Sequence, residues 1–157
     1  MIVRIISFIF SFLLLLNCSY EPIYSKSKIE KNYNFSIEEI TFLNQNTINQ
    51  LIKKNLVNYL NHEEKLKKIS LKINTNINKT ITLRNKQGNI EIFLMEITVD
   101  VKVHEKETLI NYKNFKENFK YKNQSNKFNL EKYEKIIQTN LITKISNNII
   151  IYLFTIK

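Results

Sequence analysis

The chain has 157 residues and carries 24 Lys and Arg against 14 Asp and Glu, which gives a formal net charge of +10. This length suits one domain with a buried core, and the charge favours anionic partners such as nucleic acid, anionic lipid or lipopolysaccharide. A single glycine excludes glycine-rich phosphate loops, and with them the P-loop and Rossmann classes. The alternative to an anionic partner is a solvated surface that AT-rich coding has enriched in Lys.

The N-terminus has the features of an export signal. Arg4 precedes an apolar run over residues 5–16 that only Ser7 and Ser11 interrupt. A basic residue followed by about 7 to 15 apolar positions is typical of a secretory signal. The run is too short for a membrane span, which needs roughly 20 apolar residues.

Cys18, the only cysteine, follows this run after the single residue Asn17, and the sequence then becomes polar. The four residues ending in Cys18, LLNC, resemble a lipobox, although Asn17 is larger than the Gly, Ala or Ser usual at its position. A lone exported cysteine has no partner for an intramolecular disulfide. We therefore predict a lipoprotein signal peptide over residues 1–17, a thioether-linked diacylglycerol on Cys18, and a lipid-anchored tether over residues 18–32. The alternatives are an ordinary cleaved signal with an unmodified cysteine, or a short signal anchor.

The next segments predict a strand followed by a helix. Apolar and polar residues alternate over residues 33–42, with a change of phase that predicts a β-bulge near Glu38-Glu39. Over residues 48–60, apolar residues recur at spacings of three and four, which predicts an amphipathic helix of about four turns. Residues 44–47 form the preceding turn and supply a helix cap.

Three strands follow in the central part of the chain. Alternating patterns predict them at residues 69–77, 90–103 and 109–121. Residues 84–89, which contain Gly88, predict a hairpin turn, and residues 105–107 predict a second, polar turn. Strands joined by such short turns form an antiparallel meander.

The last segment predicts the second helix. From Tyr133 to Ile149 an apolar residue recurs every four positions. Asn129 is the expected cap, which would place Phe128 and Tyr133 at the positions of a hydrophobic staple. Residues 33–157 are therefore predicted to form a single α+β domain of order β-α-β-β-β-α, with two helices packed on one face of a four-stranded, mainly antiparallel sheet.

The sequence gives no positive indication of an enzyme. Neither His62 nor His104 has a second metal-ligating residue at a suitable spacing, and no nucleophile motif is present. We predict no catalytic residue, no metal site and no cofactor. Tyr112 and Phe115 share a strand with lysines, an arrangement that can stack bases. An exported protein meets little nucleic acid, so we predict no nucleic-acid partner.

Several features together resemble the LptE family of lipopolysaccharide-assembly lipoproteins. CSYEPIY at residues 18–24 is similar to the family's mature N-terminus, and LRNKQG at residues 83–88 resembles its Arg-Asn turn between the second and third strands. FKYKN at residues 119–123, followed by Phe128 and the long helix, is similar to the family's aromatic strand end. The predicted element order also matches the family fold, so the resemblance covers essentially the whole mature chain.

The resemblance implies a non-enzymatic role at the outer membrane. LptE-like proteins are lipid-anchored on the periplasmic side, plug an LptD-like β-barrel, bind lipopolysaccharide and assist its assembly at the cell surface. By analogy Arg84 meets the phosphates of lipid A, Lys86 lies in the same turn, and either Lys122 or Lys127 corresponds to a second basic residue ahead of the last helix.

The residue type at position 84 also favours a phosphate contact. Arg84 is the only arginine after residue 17, and its planar guanidinium can hold phosphate oxygens in bidentate fashion. A chance codon is the alternative. At the level of function, the alternatives are a generic periplasm-facing lipoprotein for another anionic lipid or envelope component, an exported structural domain without a ligand, and a basic nucleic-acid-binding module.

Overall fold

The computed structural model describes residues 34–156. The predicted signal peptide at residues 1–17, the lipid attachment site Cys18 and the tether at residues 18–32 lie outside the described residues. The elements are β1 (Phe35–Phe42), α1 (Asn49–Leu56), β2 (Lys67–Arg84), β3 (Ile90–Glu105), β4 (Thr108–Lys122) and α2 (Lys127–Thr155). The predicted order β-α-β-β-β-α is confirmed.

The four strands form one sheet in the order β1-β2-β3-β4. β1 pairs with β2 in parallel, whereas β2 with β3 and β3 with β4 are antiparallel. Parallel neighbours need a crossover connection, and α1 lies in the segment that supplies it. The two antiparallel pairs are joined by short turns, as the sequence predicts.

The core lies between the sheet and the two helices. β3 alternates strictly along its central part: its helix-side residues are buried and the residues between them are partly exposed. The buried set is Phe93, Met95, Ile97, Val99, Val101 and Val103. α2 packs against β3, β4 and α1, so both helices cover the same face of the sheet, and within residues 34–156 no helix covers the other face. The predicted two-layer architecture is confirmed.

The β-bulge predicted near Glu38-Glu39 is confirmed, because the β1–β2 register shifts between Ile37 and Glu39. The first helix is shorter than the predicted residues 48–60. It ends at Leu56 and continues as a 3-10 turn over Val57–Tyr59. The spacing of the buried Leu56 and Tyr59 suits either kind of helix, so periodicity alone misplaces this end.

The beginnings of both helices differ from the prediction. Ile48 caps α1 without a side-chain hydrogen bond, so the cap predicted within residues 44–47 is wrong. α2 is capped by Asn126, whose Oδ1 accepts a hydrogen bond from the backbone N–H of Asn129 at 3.1 Å. The cap is therefore Asn126 and not the predicted Asn129, which instead supplies the backbone N–H that the cap satisfies. Phe128 is 73% exposed, and the predicted staple is not formed.

Candidate functional site

The hairpin between β2 and β3 is held by a network of local hydrogen bonds. Asn85 Oδ1 accepts from the backbone N–H groups of Gln87 and Asn89 at 3.1 and 2.9 Å, and the Gly88 N–H donates to the Asn85 carbonyl at 3.0 Å. Gly88 adopts φ +83°, in the left-handed region that favours glycine. The hairpin turn predicted at residues 84–89 is confirmed, and its backbone is well fixed.

Arg84 lies across this hairpin tip. Its Nη1 donates a hydrogen bond to the Gly88 carbonyl oxygen at 2.8 Å, and the residue is exposed. A guanidinium carries five N–H donors, so this bond leaves donors for an external acceptor. The sequence indicates a phosphate contact at Arg84. The structure adds a local role, because the same side chain stabilises the turn.

The strand register brings the other basic candidates to the same end of the sheet. Arg84 pairs with Ile90 on one side of β3, and Lys122 pairs with Ile92 on the other side. Because neighbouring strands lie about 4.8 Å apart, β2 and β4 are separated here by roughly 10 Å. Lys86 belongs to the hairpin tip and Lys127 is the first residue of α2. We call Arg84, Lys86, Lys122 and Lys127 the tip cluster.

The positive charge of the tip cluster is not balanced by ion pairs. Within residues 34–156, none of its four members lies within ion-pair distance of a carboxylate, and all four are exposed. Some other lysines do form ion pairs, among them Lys79 with Glu134, Lys116 with Glu96, and Lys144 with Glu117. The charge of this end of the sheet is therefore available to an external anion.

The N-terminus of α2 adds to this positive field. Lys127 occupies its first turn, which contains no acidic residue. The helix dipole places partial positive charge at this end and stabilises anions there, so a lysine is unfavourable unless an anion binds. A free helix of this length would more commonly carry Asp or Glu at these positions.

A hollow of about 710 Å³ opens beside the tip cluster, between the beginning of β3 and the β4–α2 connection. Asn123 joins the two sides of the hollow by donating from its backbone N–H to the Glu91 carbonyl at 2.8 Å and from Nδ2 to the Ile90 carbonyl at 3.0 Å. The hollow is lined by Asn89, Ile90, Glu91, Ile92, Lys122, Asn123, Gln124 and Ser125. Its walls combine one ammonium group, one carboxylate, several amides and two isoleucines.

Of the four sequence-predicted basic residues, only Lys122 lines this hollow. Ile90, Ile92 and Asn123 were not predicted as site residues, and nothing in their residue types marks them. Their position follows from the strand register. Counting outward from the turn predicted at residues 105–107 is the signal that could have placed Ile92 beside Lys122 of β4. The apolar surface of the site is therefore a product of the fold.

The α2 N-terminus is anchored beneath this end of the sheet by a group of polar contacts. Glu134 Oε1 lies 2.6 Å from Lys79 Nζ and accepts a hydrogen bond from the Tyr121 hydroxyl at 2.7 Å. Burial and the adjacent Glu134 raise the pKa of the Tyr121 hydroxyl strongly. Lys79 Nζ also lies 4.2 Å from the ring centre of Phe93. These contacts fix the first turns of α2, and with them Lys127, relative to β2 and β4.

Two further properties concern the part of the chain that the structure describes. Among residues 34–156, no group of three or more His, Cys, Asp or Glu residues could hold a metal ion. No helix in this range has both the length and the apolar character needed to cross a membrane.

Neither a protein-family model nor a curated protein matches the sequence. Solved structures do share the fold. Rare lipoprotein B from Shewanella oneidensis superimposes with a TM-score of 0.60 at 8% identity, over 75% of this chain and 93% of that one. A minor lipoprotein from Acinetobacter baumannii gives 0.59 at 12% identity, over 78% and 91%. Lipoprotein B from Nitrosomonas europaea gives 0.54 at 13% identity, over 74% and 80%. At these identities the similarity is one of fold.

Proposed function

We propose that this chain is a lipid-anchored lipoprotein of the outer membrane that binds lipopolysaccharide through the tip cluster and plugs an LptD-like β-barrel. The function is binding and assembly rather than catalysis. Lipid A combines phosphates with acyl chains, and the tip cluster beside Ile90 and Ile92 offers cations next to apolar surface.

The observation that carries the proposal is the unpaired charge of the tip cluster. Arg84, Lys86, Lys122 and Lys127 come from three separate segments of the chain, and the fold gathers them at one end of the sheet. Phosphate oxygens can accept charge-assisted hydrogen bonds from such groups, and an arginine can do so in bidentate fashion.

Two independent features support the lipoprotein part of the proposal. The sequence carries an apolar run that ends at Cys18 in a lipobox-like motif. The three solved structures named above, which share this fold, are lipoproteins. A covalent lipid would hold the basic domain at a membrane surface, where an anionic lipid ligand is abundant.

Lipopolysaccharide binding is tested with a charge variant and a charge-matched control. The double variant Arg84→Gln/Lys122→Gln removes two charges from the tip cluster, and Lys53→Gln/Lys54→Gln removes two from the exposed side of α1. We expect at least a tenfold loss of affinity for the first variant and little change for the second. Equal affinity of both variants and the wild type would exclude a lipid A site at the tip cluster.

The barrel partner and the anchor need separate measurements. Affinity purification of the chain from solubilised outer membranes should recover one large β-barrel protein in a one-to-one complex, and recovery as a free monomer would favour a generic lipoprotein.

Mass spectrometry of the mature N-terminus should show a chain that begins at an acylated Cys18. A chain with residues 1–17 intact and no lipid would contradict the anchor, and nucleic-acid copurification would favour the nucleic-acid alternative.

A further inference from the structure

The outer half of β2 forms an edge of the sheet. β1 pairs with β2 only as far as Ile73, whereas β2 continues beside β3 to Arg84. The Asn44 side chain bonds Thr75, and in the described part of the chain no further strand lies on this side of β2. We call residues 76–81 the free edge of β2. At about 3.4 Å per residue it spans roughly 20 Å, the length of an ordinary strand.

The backbone groups that the free edge presents follow from the alternation of a β-strand. The N–H and the carbonyl of Thr75 both point to the β1 side, since Asn44 bonds both. The pairing with β3 is regular from Thr75 to Ile81, so every second residue has the same orientation. The N–H and carbonyl groups of Ile77, Lys79 and Ile81 therefore point outward. An added strand is the structure that can bond all of them in register.

The free edge lacks the features that commonly keep an edge strand from pairing with another chain, which are lysines, prolines and bulges. β4, at the opposite edge of the sheet, carries four lysines in its 15 residues. The free edge, NINKTI, contains no proline, and its one lysine is Lys79, which forms an ion pair with Glu134. The first bulge in this part of β2 comes only after Ile81.

The side chains of the free edge alternate between two different surfaces. Ile77, Lys79 and Ile81 lie opposite buried residues of β3, so they are on the helix side, where Ile81 is 43% exposed. The residues between them are exposed polar residues on the other face: Asn76, Asn78 and Thr80. An added strand that is apolar toward the helices and polar on the other face matches both surfaces.

The two ends of the free edge differ in charge. Arg84 and Lys86 of the tip cluster follow it closely, and within residues 34–156 neither forms an ion pair with a carboxylate. At the other end, Asn44 already occupies the β1 side of Thr75. An added strand must therefore end or turn away at Thr75, and acidic residues at its opposite end would face the tip cluster.

A second copy of this chain fits the free edge poorly. If two free edges paired in antiparallel fashion about Lys79, each β2 would continue into its hairpin, which would meet the Asn44 segment of the other copy. The same arrangement would bring Arg84 and Lys86 of one copy toward Lys72 of the other, so like charges would approach each other. A short extended segment of a different protein avoids both conflicts.

We propose that the free edge of β2 binds an extended segment of a protein partner, which adds to the sheet as a fifth strand. The segment runs antiparallel to β2, the more stable kind of pairing. Its backbone bonds Ile77, Lys79 and Ile81, its apolar residues face the helix side, and its acidic N-terminal end lies beside Arg84. This contact is separate from lipopolysaccharide binding and does not depend on it.

The test uses the full exported chain and a synthetic peptide of sequence EETVTVTVT. Paired antiparallel to β2, its valines lie opposite Ile77, Lys79 and Ile81. N-methylation of the three valines removes the N–H groups that bond the free edge, whereas N-methylation of the three threonines that follow them removes N–H groups that point away. We expect the first modified peptide to bind at least tenfold more weakly than the unmodified one, since three hydrogen bonds are lost, and the second to bind equally well.

Hydrogen exchange locates the bound peptide. In the chain without peptide, the amides of Ile77, Lys79 and Ile81 should exchange faster than those of Asn78 and Thr80, which point to β3. The unmodified peptide should slow exchange of the first three at least tenfold and leave the other two unchanged. If the slowed amides lie elsewhere, or if the valine-methylated peptide binds as tightly as the unmodified one, the added strand is excluded.

A charge variant tests the orientation of the segment. Lys86→Glu should weaken binding of the peptide, whereas Lys53→Glu, at an exposed position of α1, should not. Equal binding by both variants would contradict an acidic end at the tip cluster. Dimerisation that slows the same three amides without peptide would assign the free edge to a second copy and overturn the proposal. Lipopolysaccharide affinity is measured separately, so the failure of either proposal leaves the other standing.

Discussion

The ammonium group of Lys79 lies 2.6 Å from Oε1 of Glu134 and joins β2 to the first turns of α2 across the helix side of the sheet. The Glu134 side chain is only 15% exposed, whereas that of Lys79 is 38% exposed. The same carboxylate oxygen accepts from Tyr121 at 2.7 Å, so one acidic group connects two strands and the helix. The position of the α2 N-terminus therefore depends on Glu134.

Replacing this carboxylate should destabilise the domain. Glu134→Ala leaves the Tyr121 hydroxyl and Lys79 without their shared acceptor, and we expect a loss of about 1 to 3 kcal/mol in the free energy of unfolding. Urea denaturation measures it. Glu131→Ala, at an exposed position one turn earlier, is the control and should change stability by less than about 0.5 kcal/mol. Equal effects of the two substitutions would show that the contact contributes nothing specific.

The raised pKa of Tyr121 predicts a loss of stability in alkali. A group whose pKa is higher in the folded state binds its proton more tightly there, so its contribution is complete below the unfolded pKa of about 10 and declines as the pH rises above it. Lysines titrate in the same range, so the wild-type curve alone is ambiguous. We therefore expect the stability difference between wild type and Tyr121→Phe to shrink from pH 9 to pH 11. A difference that stays constant or grows over this range would contradict the assignment.

The side chain of Asn44 continues the sheet beyond the end of β1. The last β1 pair joins Phe42 to Ile73, and the Leu43 N–H donates to the Ile73 carbonyl at 2.8 Å. Asn44 then hydrogen-bonds Thr75, two residues further along β2: its Oδ1 accepts from the Thr75 N–H at 3.2 Å, and its Nδ2 donates to the Thr75 carbonyl. Thr75 is 2% exposed and also donates through Oγ1 to Asn49 Oδ1 at 2.8 Å.

Asn44→Ala should therefore lower the free energy of unfolding by about 1 to 3 kcal/mol, because it removes the side-chain partners of both the backbone N–H and the backbone carbonyl of the buried Thr75. Thermal or urea unfolding measures the change. Gln45→Ala, at the adjacent exposed position, should remain within about 0.5 kcal/mol of the wild type. If the hydrogen-exchange rate of the Thr75 amide is the same in Asn44→Ala as in the wild type, the Asn44 side chain does not protect this part of β2.

Elements with a clear apolar period were predictable from the sequence, and contacts between elements were not. The β1 bulge was predicted because the apolar phase changes at Glu38-Glu39. The end of β2 was missed because residues 78–84 are exposed, so pairing with β3 continues where no burial pattern marks it. Similarly, Asn44 and Asn126 lie in stretches of sequence that are rich in Asn. Only the backbone geometry shows which asparagine of each stretch forms the side-chain hydrogen bond to the backbone.

The same distinction holds for the candidate site. Arg84 stands out because every other basic residue after residue 17, apart from the two histidines, is a lysine, and the glycine at position 88 locates the turn beside it. That Lys122 lies across β3 from Arg84 depends on the register of two strand pairs.

The two roles of Arg84 can be separated by comparing lysine and glutamine at this position. Arg84→Lys keeps the charge but loses the planar fork that can hold a phosphate while donating to Gly88, whereas Arg84→Gln loses the charge as well. For lipopolysaccharide we expect affinity to fall in the order wild type, Arg84→Lys, Arg84→Gln, with about tenfold between the first and last. Because the residue is exposed, both variants should unfold within about 1 kcal/mol of the wild type. If both variants bind as the wild type does and only the stability of the hairpin changes, Arg84 serves the turn alone, and Lys122 with Lys127 must carry any phosphate contact.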